Sequence, residues 1–231
     1  MIYSPILSKI KNLQHGFTTK LMEEKKLISI RENTATVKQV HKNHIHWITT
    51  FEKAITEADA IGTVSPMLAV GVYTADCTPI LLVAINEKNQ ALAVMAIHAG
   101  WRGTALQIAA NAFAEFYHKT KKLNVKNYIA VIGPSISKKA FEVGEEVIAA
   151  FPQAETQGIA TFFRNEGEKK KYLFDLAAEN SRQIQDTAQR LHIPLQLETN
   201  NFCTFFDEKN YHSYRRDKEK AGRILSFISF T

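Results

Sequence analysis

Cysteine is scarce in this chain. Two cysteines, Cys77 and Cys203, occur among 231 residues, too few for the disulfide scaffold that stabilises small secreted domains. Such a low count is typical of proteins from a reducing compartment. Each thiol therefore needs an explanation of its own.

Long apolar runs are missing as well. The longest, such as residues 92–97, are far shorter than the roughly 20 residues of a membrane-spanning helix. The first residues, MIYSPILSKIKNLQHG, are interrupted by Pro5, Ser8 and Lys9 and lack the pattern of a secretory signal peptide. These absences predict a cytoplasmic protein with no membrane partner.

No internal repeat, low-complexity tract or linker rich in proline, glycine and serine divides the sequence. Hydrophobic residues make up 45% of the chain, which is ample for a core. We therefore expect residues 1–231 to form a single domain.

Charge is not concentrated anywhere along the chain. The formal net charge is +6 and the sequence pI is near 9.2, which raises the question of a nucleic-acid partner. The basic pairs are scattered, however, and most have acidic residues nearby, as on a solvated surface. We therefore expect no nucleic-acid partner.

Apolar runs and helical periodicity indicate the fold class. Residues 86–90 form a polar turn that predicts an antiparallel hairpin. The expected helix over residues 175–191 begins with Asp175 as its cap. Thr104 with Gln107 matches a capping box at the start of the expected helix over residues 104–117. Together the elements predict an α/β (α+β) domain with a mixed sheet. The expected strands are residues 68–73, 80–85, 92–97 and 128–132, and the expected helices are 104–117, 141–151 and 175–191.

Three residues that can bind a metal stand at the ends of apolar segments. They are His41 in VKQVH, Cys77 in VYTADC and His98 in AVMAIH. Strand ends are where α/β proteins build their sites, and two imidazoles with one thiolate suit Zn²⁺. Three protein ligands leave a fourth position open, which is the pattern of a catalytic site.

Other interpretations of these residues stay open. Each histidine can have a purely structural role as a hydrogen-bonded side chain, and Cys77 can be a small core residue. Cys77 can instead be a nucleophile with His98 as its base and Asp76 orienting the ring. His44 and His46 form a rival pair on one strand face.

An anion site is expected beside His98. Gly103 and Thr104 are predicted to open a helix whose free N–H groups favour an anion, and the guanidinium of Arg102 reinforces this. Phosphate or a carboxylate can dock there, although a surface arginine explains Arg102 equally well. Aromatic and basic groups in residues 211–216 can stack on a base or pack the chain end.

Several short motifs follow one another along the chain after residue 38. They are QVH (39–41), TADCTPILL (74–82), HAGWRGT (98–104), IGPSIS (132–137), FEVGEEV (141–147), FDLAAEN (174–180), CTFF (203–206), SYRRD (213–217) and AGR (221–223). Taken together, these motifs resemble those of the YfiH-type laccase-domain family, in the same order and over nearly all of the chain after Gln39. Members of that family are also called multicopper polyphenol oxidoreductases and are now described as purine nucleoside phosphorylases.

The resemblance implies a four-layer α/β/β/α sandwich with metal ligands at His41, Cys77 and His98. It implies a zinc enzyme, with copper as the alternative metal, and purine nucleosides and phosphate as partners of a monomer or homodimer. The implied activities are phosphorolysis of adenosine, inosine, guanosine and methylthioadenosine, and adenosine deamination. Copper-dependent phenol oxidation and a cysteine-dependent amidase acting on peptidoglycan precursors are the alternatives. The catalytic role then falls on Cys77, His98 and Arg102.

The chain departs from this family near its N-terminus. HGFTTK, residues 15–20, resembles the usual HGFFTR, but Lys20 replaces the arginine and loses its bidentate fork. A glycine-rich loop and much of the segment before Gln39 are missing, and Lys42 stands where the family has glycine. Nucleoside or phosphate binding is therefore expected to differ here.

Overall fold

The chain folds into three β-sheets with helices around them, which the computed structural model describes for residues 1–164 and 169–231. The strands are β1 (Leu13–Phe17), β2 (Thr34–Lys38), β3 (Ile45–Ile48), β4 (Lys53–Glu57), β5 (Ala60–Thr63), β6 (Ala69–Thr74), β7 (Thr78–Ile85), β8 (Ala91–Ala99), β9 (Asn127–Ile132), β10 (Glu142–Val143), β11 (Ala160–Arg164), β12 (Lys170–Phe174), β13 (Leu195–Thr199) and β14 (Ile224–Phe230). The α-helices are α1 (Glu24–Glu32), α2 (Trp101–Ala105), α3 (Ile108–Thr120), α4 (Glu145–Ile148), α5 (Leu176–Arg190) and α6 (Tyr214–Asp217), and 3-10 helices occupy Leu7–Lys9 and Lys218–Lys220.

The two larger sheets are both mixed, as predicted. In the six-stranded sheet the order is β13-β9-β7-β8-β5-β3, with parallel pairs at both edges and antiparallel pairs between. In the five-stranded sheet the order is β1-β14-β6-β2-β4, where β2 is parallel to both neighbours. The smallest sheet has the order β10-β12-β11.

The six-stranded sheet is covered on both faces, which explains its apolar sequence. One face, with Leu81 and Val83, packs on the five-stranded sheet around Val72 and Ile228. The other face packs against α3 and α5. Because both faces of β7 are buried, all eight of its residues are apolar or small and excluded from water.

The expected strands and hairpin are confirmed. Each of the four runs lies in a strand within two residues of its predicted bounds, and β7 and β8 pair antiparallel across the turn at residues 86–90. The mixed α/β fold class is therefore correct. α1 contacts β2 of the five-stranded sheet and has no buried residue. Within the described residues, helices long and apolar enough to cross a membrane are absent.

The predicted helix over residues 104–117 is wrong at its start. Two helices replace it, because Gln107 adopts a left-handed backbone with φ of 61° and ends the first. No capping box forms, since the hydroxyl of Thr104 donates to the carbonyl of Gly100 instead. Leu106, the C-cap residue of α2, is 48% exposed.

The other two predicted helices had different outcomes. Over residues 141–151 the chain forms β10 and the short α4, because Val143 pairs with Tyr172 of β12 before Gly144 turns the chain into the helix. By contrast α5 is confirmed, with the Asp175 carboxylate accepting a hydrogen bond from the N–H of Ala178 at 2.9 Å. This is the N-cap geometry expected for aspartate.

Candidate functional site

His41, Cys77 and His98 lie together, although they are far apart in sequence. His41 follows β2, Cys77 lies between β6 and β7, and His98 lies near the end of β8. Their potential ligand atoms are all within 4.8 Å of one another, and the centroids of the two imidazole rings are 4.7 Å apart. His98 is buried, Cys77 is partly buried and His41 is exposed, so the cluster opens to solvent at one side.

The backbone around the cluster is tightly turned. His41 and Asp76 have φ values of 56° and 88°, in the left-handed region that few residues other than glycine adopt. Gly100 lies against the cluster: a Cβ atom there would be 2.8 Å from His41 Nδ1 and 2.9 Å from Cys77 Sγ. The glycine is therefore needed for the close approach of the backbone to the site.

A buried carboxylate, Asp59, supports two of the three residues. The Nδ1 atom of His98 donates to its Oδ1 at 2.8 Å. The backbone N–H groups of His41 and Lys42 donate to the same carboxylate at 3.0 and 2.7 Å. With Nδ1 of His98 held in this way, its Nε2 is the nitrogen left for a ligand.

The expectation that Asp76 orients the histidine is wrong. Its carboxylate accepts hydrogen bonds from the hydroxyls of Thr204 and Ser213 and from the backbone N–H of Arg215. Asp76 therefore holds the C-terminal segment in place. Asp59 was missed because an aspartate directly before a strand has no local pattern that pairs it with a histidine on another strand.

Burial and the two histidines set the charge of the cluster. Burial by itself favours the neutral thiol, but the positive charge of His98 and hydrogen bonds from both imidazoles lower the pKa of Cys77 to about 6. Burial likewise disfavours a charged ring, but the thiolate and Asp59 raise the pKa of His98 to about 9. Both shifts favour the thiolate of Cys77 and the imidazolium of His98 over the neutral pair.

The donor chemistry fits a zinc or copper ion. One sulfur and two imidazole nitrogens are ligands that both ions accept. Asp59 supplies the carboxylate partner that ligating histidines usually have. Among the described residues, no other group of three or more histidine, cysteine or acidic side chains has this spacing.

The cluster lies in a cleft of about 690 Å³ whose lining includes several aromatic and basic side chains. The guanidinium of Arg102 lies 4.3 Å from the ring centre of Trp101, and that of Arg215 lies 5.3 Å from the ring centre of Phe141. All four side chains line the cleft. Its volume is within the usual range for small-molecule sites.

The predicted helix start beside Arg102 is wrong. α2 begins at Trp101 and has Gly100 as its N-cap, so Gly103 and Thr104 lie inside the helix. Gly103 lies close to the loop of His41, because a Cβ atom on Gly103 would be 2.9 Å from the carbonyl oxygen of Lys42. What remains of the predicted anion site is the guanidinium of Arg102.

Two other sequence candidates are also placed by the structure. His46 pairs with Glu52 at 2.9 Å and lies outside the cluster. Within residues 211–216, Tyr211 is fully buried and Arg216 forms an ion pair with Asp217. Tyr214 and Arg215 of the same segment line the cleft.

A family model described as "Multi-copper polyphenol oxidoreductase laccase" matches residues 18–231. The chain belongs to this laccase-domain family. Membership agrees with the resemblance in the sequence motifs, all of which lie within the matched region apart from the first residues of HGFTTK.

Two relatives of this chain carry enzyme names. Purine nucleoside phosphorylase YfiH of Escherichia coli (strain K12) is 33% identical over 195 residues, which cover 83% of this chain and 72% of that protein. Adenosine deaminase RL5, from an unknown prokaryotic organism, is 39% identical over 178 residues, covering 77% of this chain and 64% of that protein.

Two solved structures share the fold. YlmD from Geobacillus stearothermophilus superposes with a TM-score of 0.77 at 23% identity and covers 96% of this chain and 93% of its own. NMB0706 from Neisseria meningitidis has a TM-score of 0.69 at 28% identity, with coverage of 89% and 79%.

Proposed function

We propose that the protein is a zinc-dependent purine nucleoside phosphorylase that also deaminates adenosine. The observation that carries this proposal is the His41–Cys77–His98 cluster within a cleft large enough for a nucleoside. The enzyme names of its relatives support it. Adenosine, inosine, guanosine and methylthioadenosine are the proposed substrates, as expected from the sequence.

In phosphorolysis, an oxygen of phosphate attacks the anomeric carbon of the ribose. The bond from that carbon to the base nitrogen breaks, and the base leaves with the electron pair and takes up a proton. In this cleft the guanidinium of Arg102 is positioned to hold the phosphate, and the rings of Trp101, Phe141 and Tyr214 offer stacking surfaces for the base. A bound Zn²⁺ would polarise a substrate oxygen or lower the pKa of a water.

The chain's two cysteines provide a matched test of this proposal. Cys77→Ser removes the sulfur of the cluster, whereas Cys203→Ser changes a thiol whose sulfur accepts hydrogen bonds from Ser137. We expect purified wild-type protein and Cys203→Ser to carry about one zinc per chain, the number that three ligands support, and to cleave inosine only with phosphate. Cys77→Ser should remain folded and lose both zinc and phosphorolysis. Wild-type activity in Cys77→Ser would sink the assignment.

A second candidate function is a cysteine hydrolase that acts on an amide. The observation that favours it is the series Cys77–His98–Asp59, which has the order of a nucleophile, its base and an orienting carboxylate. If this function is correct, removal of metal with a chelator leaves amide hydrolysis intact, while alkylation of Cys77 abolishes it. Loss of hydrolysis on mild chelation would count against it.

Copper-dependent phenol oxidation is tested by the same metal analysis. The described residues provide one candidate cluster, which supports a single ion rather than the several copper centres in the family's description. We therefore expect zinc in the purified protein and no oxidation of phenols. Copper at one ion per chain together with phenol oxidation would favour the oxidase instead.

A further inference from the structure

A second, smaller cavity of about 160 Å³ adjoins the cleft and has a basic lining. Lys20, Arg31, His212 and Arg223 contribute to its walls, together with Thr18, Thr19, Leu27 and Ile224. None of these lining residues is acidic. The four basic residues come from three separate parts of the chain: the segment after β1, the end of α1 and the C-terminal segment before β14.

The cations of this cavity form no direct ion pair within the part of the chain that the structure describes: none of the ion pairs there includes Lys20, Arg31 or Arg223. Arg223 donates to the backbone carbonyls of Ala221 and Gly222. Like charges held in one small cavity repel each other, so an anion bound between them would relieve an unfavourable arrangement.

The imidazole ring of His212 is held among the basic residues of the cavity by a close backbone contact. A Cβ atom on Gly222 would lie 2.5 Å from a ring carbon of His212, so the ring packs directly on the backbone before Arg223. Burial lowers the pKa of His212, and the charge of Lys20 lowers it further, while Asp217 opposes the shift. Both carboxylate oxygens of Asp217 accept hydrogen bonds from Arg216.

The cavity lies beside the cleft that contains the cluster. Arg223 lines both spaces. Burial raises the pKa of Tyr73, which lines the cleft, and the charge of Arg31 opposes that shift, so the charge of Arg31 is felt in the cleft. The basic cavity therefore shares a wall with the cleft.

We propose that Lys20, Arg31, His212 and Arg223 form a subsite for a phosphate group, distinct from the phosphate position at Arg102. Its ligand is either free phosphate or the phosphate of a nucleoside monophosphate whose remainder occupies the cleft. Guanidinium and ammonium groups with a ring N–H are suited to the three charged oxygens of such a group. Its part in catalysis rests on the proposed function, but the binding itself does not.

Two double variants with equal loss of charge test the subsite. Lys20→Gln/Arg31→Gln removes two cations of the cavity. Lys25→Gln/Lys26→Gln removes two exposed cations from the first turn of α1, outside the cavity. Calorimetric titrations of the full-length protein at fixed ionic strength would use inorganic phosphate, inosine and inosine 5′-monophosphate.

We expect the cavity variant to weaken binding of phosphate or of the monophosphate by about tenfold or more, as for the loss of charge-assisted hydrogen bonds. It should bind inosine as the wild type does, and the control variant should stay within about twofold for every probe, as distant surface charges usually do. An effect on inorganic phosphate identifies free phosphate as the ligand. An effect confined to the monophosphate identifies the ester.

The subsite proposal fails if neither phosphate probe binds the wild type, or if the two double variants weaken binding equally. Inosine phosphorolysis measured on the same preparations separates the two proposals. Wild-type protein without turnover but with the expected binding pattern overturns the proposed function and keeps the subsite. Normal turnover with unchanged phosphate and monophosphate binding in the cavity variant overturns the subsite alone.

Discussion

At the scale of single residues, Asp59 has the most consequential contacts in the site. Its side chain is completely buried, where an ionised carboxylate is stable only with several donors. Burial raises its pKa, but the hydrogen bond from His98 and the backbone N–H groups of His41 and Lys42 lower it overall. The carboxylate therefore stays ionised and fixes the loop of one candidate ligand and the ring of another.

We predict that Asp59→Asn weakens zinc binding by about 10–100-fold, the usual effect of losing a carboxylate behind a ligating histidine. The amide offers one acceptor oxygen where two are used, so His98 and the loop of His41 lose their common support. Competition titration with a chromogenic zinc chelator measures the change.

Asp76→Asn is the matched control for this prediction. Asp76 is also buried and bonds to Thr204 and Ser213 rather than to a candidate ligand. The Asp76→Asn substitution should lower the melting temperature but leave zinc affinity close to that of the wild type. Equal losses of zinc affinity in both variants would show that Asp59 has no special role.

At the scale of elements, the break between α2 and α3 shapes one wall of the site. Gly100 enters α2 with an extended backbone, and Asn180 of α5 hydrogen-bonds with Thr104 inside it. Gln107 then turns the chain with φ of 61°, so that α3 packs along the six-stranded sheet. A continuous helix could not satisfy both contacts, because its axis would have one direction.

We predict that the two substitutions Gln107→Gly and Gln107→Val have different effects on stability. Valine in the left-handed region should lower the free energy of unfolding by about 1–2 kcal/mol, whereas glycine should change it by less than about 1 kcal/mol. Urea denaturation of both variants measures this. Gln185→Val, at an exposed position in α5, should cost only about 0.5 kcal/mol. If valine is tolerated equally at both positions, the break is not a constraint.

At the scale of the whole molecule, the candidate metal site joins the two large sheets. His41 follows β2 of the five-stranded sheet, His98 belongs to β8 of the six-stranded sheet, and Cys77 lies on the connection between β6 and β7. A cluster of buried apolar side chains fills the space between the two sheets. An ion bound by all three residues would therefore cross-link the layers of the fold.

We predict that zinc stabilises the entire chain against unfolding. At a free zinc concentration of 100 times Kd, the free energy of unfolding should rise by about 2.7 kcal/mol, provided that the unfolded chain binds no zinc. Thermal melts with zinc and with chelator measure the difference. Cys203→Ser should show the wild-type shift and Cys77→Ser should not. The same shift in both variants would place the bound ion elsewhere.

The sequence by itself determined the helices and strands that follow from short-range patterns of residues. The runs that became β7 and β8 are apolar on both faces. α5 has both the helical spacing of its apolar residues and its N-cap, Asp175, within one short segment. The sequence also indicated His41, Cys77 and His98, through their positions at segment ends and the family motifs around them.

Only the tertiary structure decided which groups meet. The contact of Asp59 with His98 joins residues on different strands, and the break at Gln107 follows from packing against two layers at once. The basic cavity likewise combines Lys20, Arg31 and Arg223 from distant parts of the chain. Periodicity and capping signals act over one or two turns of chain, whereas these contacts depend on how the layers pack, which no local pattern encodes.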